Sequence, residues 1–307
     1  LGQGHPAVLQ RATGTATAED RSAGRPAPSP DGEKTAIPPL VHFCWLGGRM
    51  KDAALRNIVQ WAEQAKTSGW KILIWTTPDT DWGTAFTPLV GKLRMGSIER
   101  KNIEDGLDER VESAYRAALA AKDYPAASDL ARYGILHKHG GVYADVDLGI
   151  GQVKLHEDVP RLSVGDVPVL GPQLRDKRSR DAALKDANLD KLELSEGEKT
   201  GAAAEHYLKS GQFGNHFFAV QQGSVAMDRI IKQVALMNEG ATEGDFGTGD
   251  AAVRTGPNPM LKALVDYQME TKGDYDPSTL QPEGADALHQ KVNWLTEESE
   301  NQDYERH

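Results

Sequence analysis

Two aspartates one residue apart, Asp145 and Asp147, are the side chains whose type and spacing most directly promise chemistry in this chain. Carboxylates are hard oxygen donors, suited to Mg2+ or Mn2+ and poorly suited to a structural zinc. One of the pair can hold an ion while the other orients a substrate hydroxyl. A second charged pair, Asp129 and Arg132, lies upstream. At a spacing of three they occupy neighbouring positions on one surface of a helix. The arginine keeps its charge at any physiological pH and offers a forked donor set that matches phosphate oxygens. An Asp-x-Asp alone also describes many solvated turns of acidic proteins. Here the pair follows an apolar helix and a Gly-Gly stop in mid-sequence, and that placement argues for a site.

The elements that must position these groups are readable from period and punctuation. Residues 126–139 form an amphipathic helix, with Leu130, Tyr133, Ile135 and Leu136 on or near one face. Asp123 or Ser128 can cap it, Pro125 sits at a tolerated position near its start, and Gly140 and Gly141 stop it. A strand over residues 142–146 follows. Alternation along that strand puts Asp145 and Asp147 on one face and turns Val146 into apolar packing. Upstream, residues 37–48 read as a first strand breaking into a glycine turn, residues 52–66 as a helix, and residues 70–75 as a strongly apolar strand. Strand, helix, strand is the grammar of a parallel sheet. Residues 103–122 read as one helix with Leu107, Val111, Tyr115 and Leu119 at spacings of four, and residues 82–104 give no clear pattern. Downstream come a short strand at 168–172, an apolar strand at 213–220, and helices at 224–237 and 258–268. The result is an α/β chain. Open sheets of this kind bind ligands where strands end at the sheet's carboxyl edge, which draws attention to Trp45 at the close of the first strand.

Ser128-Asp129-Leu130-Ala131-Arg132-Tyr133, followed by Gly140-Gly141-Val142-Tyr143-Ala144-Asp145-Val146-Asp147, resembles the signature of sugar-nucleotide-dependent glycosyltransferases. The likeness is to the bacterial sugar-binding-region (DXD) family, in particular the catalytic domains of the large clostridial cytotoxins, and it extends to yeast-type mannosyltransferases. His42-Phe43-Cys44-Trp45-Leu46-Gly47-Gly48 is similar to the same family's opening strand. The resemblance spans residues 37–300. It implies a GT-A type fold, a Rossmann-like and mostly parallel sheet with added helices, and sugar transfer with retention of configuration. It implies Mn2+ or Mg2+ on Asp147, with Asp145 reaching the ion through water and contacting ribose or sugar hydroxyls. Asp129 and Arg132 would position the sugar and diphosphate, and Trp45 would stack on the uracil. Tyr143 and Asn215 would lie at the donor. Thr255-Gly256-Pro257, with Asp250 nearby, is similar to a donor-side turn of the family. Trp294 would close over the donor from a C-terminal loop. The cytotoxins carry a metal-supporting serine two residues before that tryptophan; this chain has Val292 there, which leaves Asn293 or Ser299 to supply the contact.

The remaining segments have plainer readings. Asn57 and Trp61 are scaffold, since nothing raises them above packing. His216 reads as a hydrogen-bonded structural histidine rather than a ligand, and His137 and His139 form no ligand array. Residues 176–199 alternate in charge, an exposed and inserted segment that either sets acceptor choice or is inert surface. Residues 1–36, rich in Pro, Gly, Ala, Thr and Ser, cannot repay the entropy of ordering and read as a disordered tail or linker ahead of a domain over 37–307.

The formal charge of −10, with 35 basic residues in 307, argues against nucleic acid as a partner. No apolar run is long enough to span a bilayer. The single Cys44 excludes an intrachain disulfide and a cysteine-rich zinc site. Residues 1–36 carry no positive-then-apolar leader, although His5-Pro6-Ala7-Val8-Leu9-Gln10-Arg11 resembles the leader of exported bacterial toxin-like proteins. The expectation is delivery by a bacterial secretion or injection route. The donor is a nucleotide-sugar, UDP-glucose or UDP-N-acetylglucosamine, and the acceptor a protein, of a host in the effector reading. Two alternatives stand beside it: a glycan-building transferase of mannosyltransferase type, using a GDP- or UDP-sugar, and a non-catalytic binding domain of the same fold.

Overall fold

The computed structural model describes residues 36–82, 98–162 and 165–296. The tail at residues 1–35 and Ser299 lie outside these. Six strands form one sheet: β1 (Leu40–Trp45), β2 (Lys71–Thr76), β3 (Ile98–Asn102), β4 (Gly141–Ala144), β5 (Val169–Pro172) and β6 (Phe213–Val220). Their order is β3-β2-β1-β4-β6-β5. The first four run parallel, and β6 is antiparallel to both its neighbours. The longer helices are α1 (Asp52–Ser68), α2 (Glu112–Ala120), α3 (Tyr124–His139), α4 (Lys177–Asp186), α5 (Glu196–Lys209), α6 (Val225–Met237) and α7 (Pro257–Lys272). This is a mostly parallel sheet flanked by helices, the GT-A, Rossmann-like fold.

Strands buried on both faces need apolar residues at every position, and β6 is buried along its whole length. Its side chains divide between two cores. Phe217 joins Phe43, Trp61 and Val142 on the α1 side, whereas Phe218 joins Tyr133, Tyr143 and Met227 under α3, α6 and α7. Each helix has a local reason to begin and end where it does. Gly69, in the left-handed region at φ 75°, closes α1 by donating to Ala65 O. Asp123 caps α3 through the amide of Ala126, which settles the choice between Asp123 and Ser128.

From β1 the chain winds outward to β2 and β3, then returns to β4 on the other side of β1. Such a reversal opens a crevice at the carboxyl ends of the two strands. Trp45 and Asp145 flank it.

Several boundaries differ from the sequence reading. The strand expected over 142–146 stops at Ala144, and a turn closed by Leu148 N to Asp145 O (3.0 Å) follows. The two aspartates therefore sit in a turn, and strand alternation does not place them. The single helix expected over 103–122 is a 3-10 turn, Ile103–Gly106, and then α2. Residues 176–199 are ordered: α4 and the start of α5 each open on a capping box, and buried Arg180 joins them by donating to Glu196 (2.6 Å).

Candidate active site

Arg132 is the centre of the site. It projects from α3 with its side chain 5% exposed. Its Nη2 lies 3.1 Å from Asp129 Oδ1, 3.2 Å from Asp145 Oδ1 and 3.2 Å from Ser128 Oγ, and its Nη1 donates to the carbonyl of Asn215. The guanidinium also stacks over the Tyr143 ring at 4.6 Å. Burial works against its charge, but Asp145, Tyr143 and Asp129 outweigh burial and hold its pKa above the ordinary arginine value. A buried cation needs this degree of pairing to remain charged.

Asp129 is buried beside it. Asn215 Nδ2 donates to its Oδ1 (2.8 Å) and Thr255 Oγ1 to its Oδ2 (3.0 Å). Burial pushes its pKa up to about 6; Arg132, Thr255 and Asn215 pull against the rise, and Asp145 adds to it. Tyr133 ties the same corner together, donating to the carbonyls of Thr255 (2.9 Å) and Gly256 (3.2 Å). The Thr-Gly-Pro turn thus meets the helix at Asp129 itself. Asp250 is exposed nearby, bonded to Thr248 Oγ1 (3.2 Å).

Asp145 receives Tyr143 OH on Oδ1 (2.8 Å), the same oxygen that faces Arg132. Burial raises the Tyr143 pKa well above its usual value, against the pull of Arg132, so the hydroxyl keeps the proton it donates. Asp145 and Asp147 are both half-buried at the crevice. Among the described residues no group of three or more His, Cys, Asp or Glu side chains could hold a metal. Two carboxylates on a half-exposed turn still fit a hard divalent ion, provided that the ion draws its remaining oxygens from a ligand such as a diphosphate. Trp45 stands half-exposed at the end of β1, its indole held by a bond from Nε1 to Gly48 O (3.3 Å). A fixed, partly open ring is suited to stacking on a base.

The structure thus gathers Asp129, Arg132, Tyr143, Asp145 and Asn215 into one bonded cluster. Trp45 ends β1, and Asp147 lies three residues beyond the end of the neighbouring strand β4. Trp294 and Asn293 do not join the bonded cluster, although the segment that carries them meets the turn after Asp145. Trp294 is buried among His216, Phe217 and His289 and donates its indole N–H to His289 O (2.9 Å). Asn293 is exposed and pairs through its backbone with Gly149. His216 is buried beside Trp294 with Nε2 unpartnered, so it is a packing residue without the hydrogen bond expected of it. Sequence reasoning missed the role of Asn57 and Trp61, which donate to Val146 O and Leu148 O (3.0 Å each) in the segment carrying the aspartates. Their spacing of four along α1 was the available signal.

Residues 53–159 match the family described as "Glycosyltransferase sugar-binding region containing DXD motif". That stretch, about a third of the chain, includes the Asp-x-Asp pair Asp145 and Asp147. Over 117 residues, 38% of the chain, it is 25% identical to Subversion of eukaryotic traffic protein A of Legionella pneumophila, and the match spans 18% of that protein. Among solved structures it is similar to PaToxG glycosyltransferase (15% identity, TM-score 0.49, covering 79% of this chain and 73% of that one). It is also similar to the catalytic domain of alpha-toxin from Clostridium novyi (14% identity, TM-score 0.40, covering 85% and 72%).

Proposed function

We propose that this protein is a retaining, metal-dependent glycosyltransferase that moves a sugar from a nucleotide-sugar, a UDP-sugar, to a protein acceptor. The observation that carries the reading is the bonded cluster of Asp129, Arg132, Tyr143, Asp145 and Asn215 at the mouth of the β1–β4 crevice, with all but Asn215 inside the matched region. The local likeness to a protein named for subverting eukaryotic traffic supports a host-protein acceptor and delivery as an effector. Among the described residues no helix is long and apolar enough to cross a membrane.

Trp45 receives the base and fixes the register of the donor. A divalent ion on Asp147, reached by Asp145 through water, would supply Lewis-acid stabilisation of the departing diphosphate. Arg132 presents its cation to the phosphate and sugar oxygens from a site where water is largely excluded, so its charge acts at low screening. Asp129, oriented by Asn215 and Thr255, accepts from sugar hydroxyls. Asp129 and Asp145 are both committed to Arg132, which disfavours either as general base. The acceptor proton then passes to the departing phosphate oxygen on the face where the new bond forms, a route that gives retention.

Nucleotide release from a panel of UDP- and GDP-sugars, with and without Mn2+, tests this beside Asp147→Asn. Release from one donor, dependent on Mn2+ and at least about 100-fold slower in the variant, is expected. If calorimetry detects no binding of any donor, the transferase reading falls and a binding domain of the same fold replaces it.

A further inference from the structure

The segment that follows Asp145 is bonded at every residue. Asn57 Nδ2 donates to Val146 O (3.0 Å), Thr296 Oγ1 to Asp147 O (3.0 Å), Trp61 Nε1 to Leu148 O (3.0 Å) and Asn293 N to Gly149 O (3.1 Å). Four consecutive carbonyls each accept one bond, and the donors alternate. Val146 and Leu148 are held from α1, whereas Asp147 and Gly149 are held from residues 293–296. Asp145 itself is fixed at both backbone groups, its N–H donating to His216 O (2.9 Å) and its carbonyl accepting Leu148 N (3.0 Å).

Neither grip is an accident of local sequence. Asn57 and Trp61 stand four apart, on one face of α1. The C-terminal segment reaches the loop only because the loop lacks side chains where the two meet. A Cβ on Gly149 would lie 3.1 Å from Asn293 Cβ and 3.3 Å from Thr296 Cγ2, and one on Gly151 would lie 2.2 Å from Lys291 O. Gly151 also has a φ of 59°, in the left-handed region.

We infer that Asn57, Trp61 and Thr296 are positioning residues that clamp the turn bearing Asp145 and Asp147 from two sides, and so set the affinity of the carboxylate pair for a divalent ion with a nucleoside diphosphate. The ligand half of this inference rests on the function proposed above; the clamp itself does not. Among the described residues no third His, Cys, Asp or Glu joins the pair to enforce its geometry, which leaves that task to the backbone that carries it. Loss of outer groups that orient metal ligands typically costs about 10- to 100-fold in metal affinity. Thr296 also makes the site depend on the end of the described chain, 149 residues from Asp147 in sequence.

The test uses Mn2+ and UDP as probes, with Thr296→Val, Thr296→Ser, Asn57→Leu and Trp61→Phe. Mn2+ affinity in the presence of UDP is read by electron paramagnetic resonance of the free ion, and amide exchange is followed at residues 145–149. Thr296→Val, Asn57→Leu and Trp61→Phe are expected to weaken Mn2+ about 10- to 100-fold and to speed exchange at Leu148 and Gly149. Thr296→Ser, which keeps the hydroxyl, restores both. A residue that only packs would lower the thermal midpoint and leave Mn2+ affinity and local exchange unchanged, and that outcome overturns the inference. If wild-type protein binds no Mn2+ with UDP while exchange still rises in the variants, the transferase reading fails and the clamp stands.

Discussion

Arg132 is where most of the site's chemistry meets, because five acceptor groups converge on one planar cation. Asp129, Asp145, Ser128 Oγ and the carbonyls of Ser128 and Asn215 are distributed around it. A lysine carries the same charge but is a point donor, and cannot reproduce the fork that holds both carboxylates and the Asn215 carbonyl together. Arg132→Lys is therefore expected to slow Mn2+-dependent nucleotide release by about 100-fold, roughly 2.7 kcal/mol, while the protein stays folded by circular dichroism. A variant within threefold of wild type would show that the fork is not used. The chemistry at this scale was legible because residue type and spacing announce it: an arginine three after an aspartate, then an Asp-x-Asp. Asn57 left only its spacing of four from Trp61 as a signal, because its partner, Val146 O, lies 89 residues away. Trp294, read from the sequence as a donor-closing ring, is buried here and donates its N–H to His289 O.

Helix α3 places Asp129 and Arg132, and its seat explains the main misreading at the scale of elements. Gly134 crosses the turn after the Ile103–Gly106 helix so closely that a Cβ there would lie 2.7 Å from Asp108 N and 2.8 Å from Gly106 O. A Cβ on Gly106 would lie 2.5 Å from Ile135 Cγ1 and 3.0 Å from the Trp75 ring. This crossing breaks the helix expected over 103–122. The apolar spacing of four from Leu107 to Leu119 is real, but periodicity registers one face of one element and not a neighbour's backbone. Strand β3 was missed for a related reason. It is an edge strand whose Glu99 pairs with Lys71 and Lys101, and charges that protect an edge also hide its alternation. At Gly134 the obstacle to a methyl group is backbone, which cannot swing aside. Gly134→Ala should therefore destabilise the protein by about 1–3 kcal/mol, against the gain in helix propensity that alanine normally brings. Urea unfolding measures it directly. A midpoint equal to or above that of wild type would mean that the crossing can open without cost.

Across the whole molecule, three histidines are folded into the core as neutral rings, and they set how the protein responds to acid. Burial lowers the pKa of His42, His216 and His289 from 6.5 to about 3 each; at His42 the bond to Gly140 O resists the drop and His139 adds to it. An unfolded chain would protonate all three below about pH 6.5, whereas the folded chain would not. The unfolded state then binds more protons, so the stability these rings contribute is complete above pH 6.5 and is lost as pH falls toward 3. Asp129 acts in the opposite sense. Its pKa rises from 3.8 to about 6 on folding, mainly by burial, so between those values the folded state holds the extra proton. For His42, His216, His289 and Asp129 together the net uptake on unfolding near pH 5 is about two protons, a loss of about 2.7 kcal/mol per pH unit, and His139, also lowered by burial, adds in the same direction. Carboxylates that are lowered on folding, such as Asp228 at about 2, enter only at more acid pH. Urea unfolding at pH 7.5, 6.0, 5.5 and 5.0 reads the slope. His289→Gln removes one of the three protonations, so its slope near pH 5 should be about 1.4 kcal/mol per unit shallower. A stability that does not change between pH 7 and pH 5 would mean that the core admits charged histidine, and the packing of His216 and His289 around Trp294 would have to be looser than the structure shows.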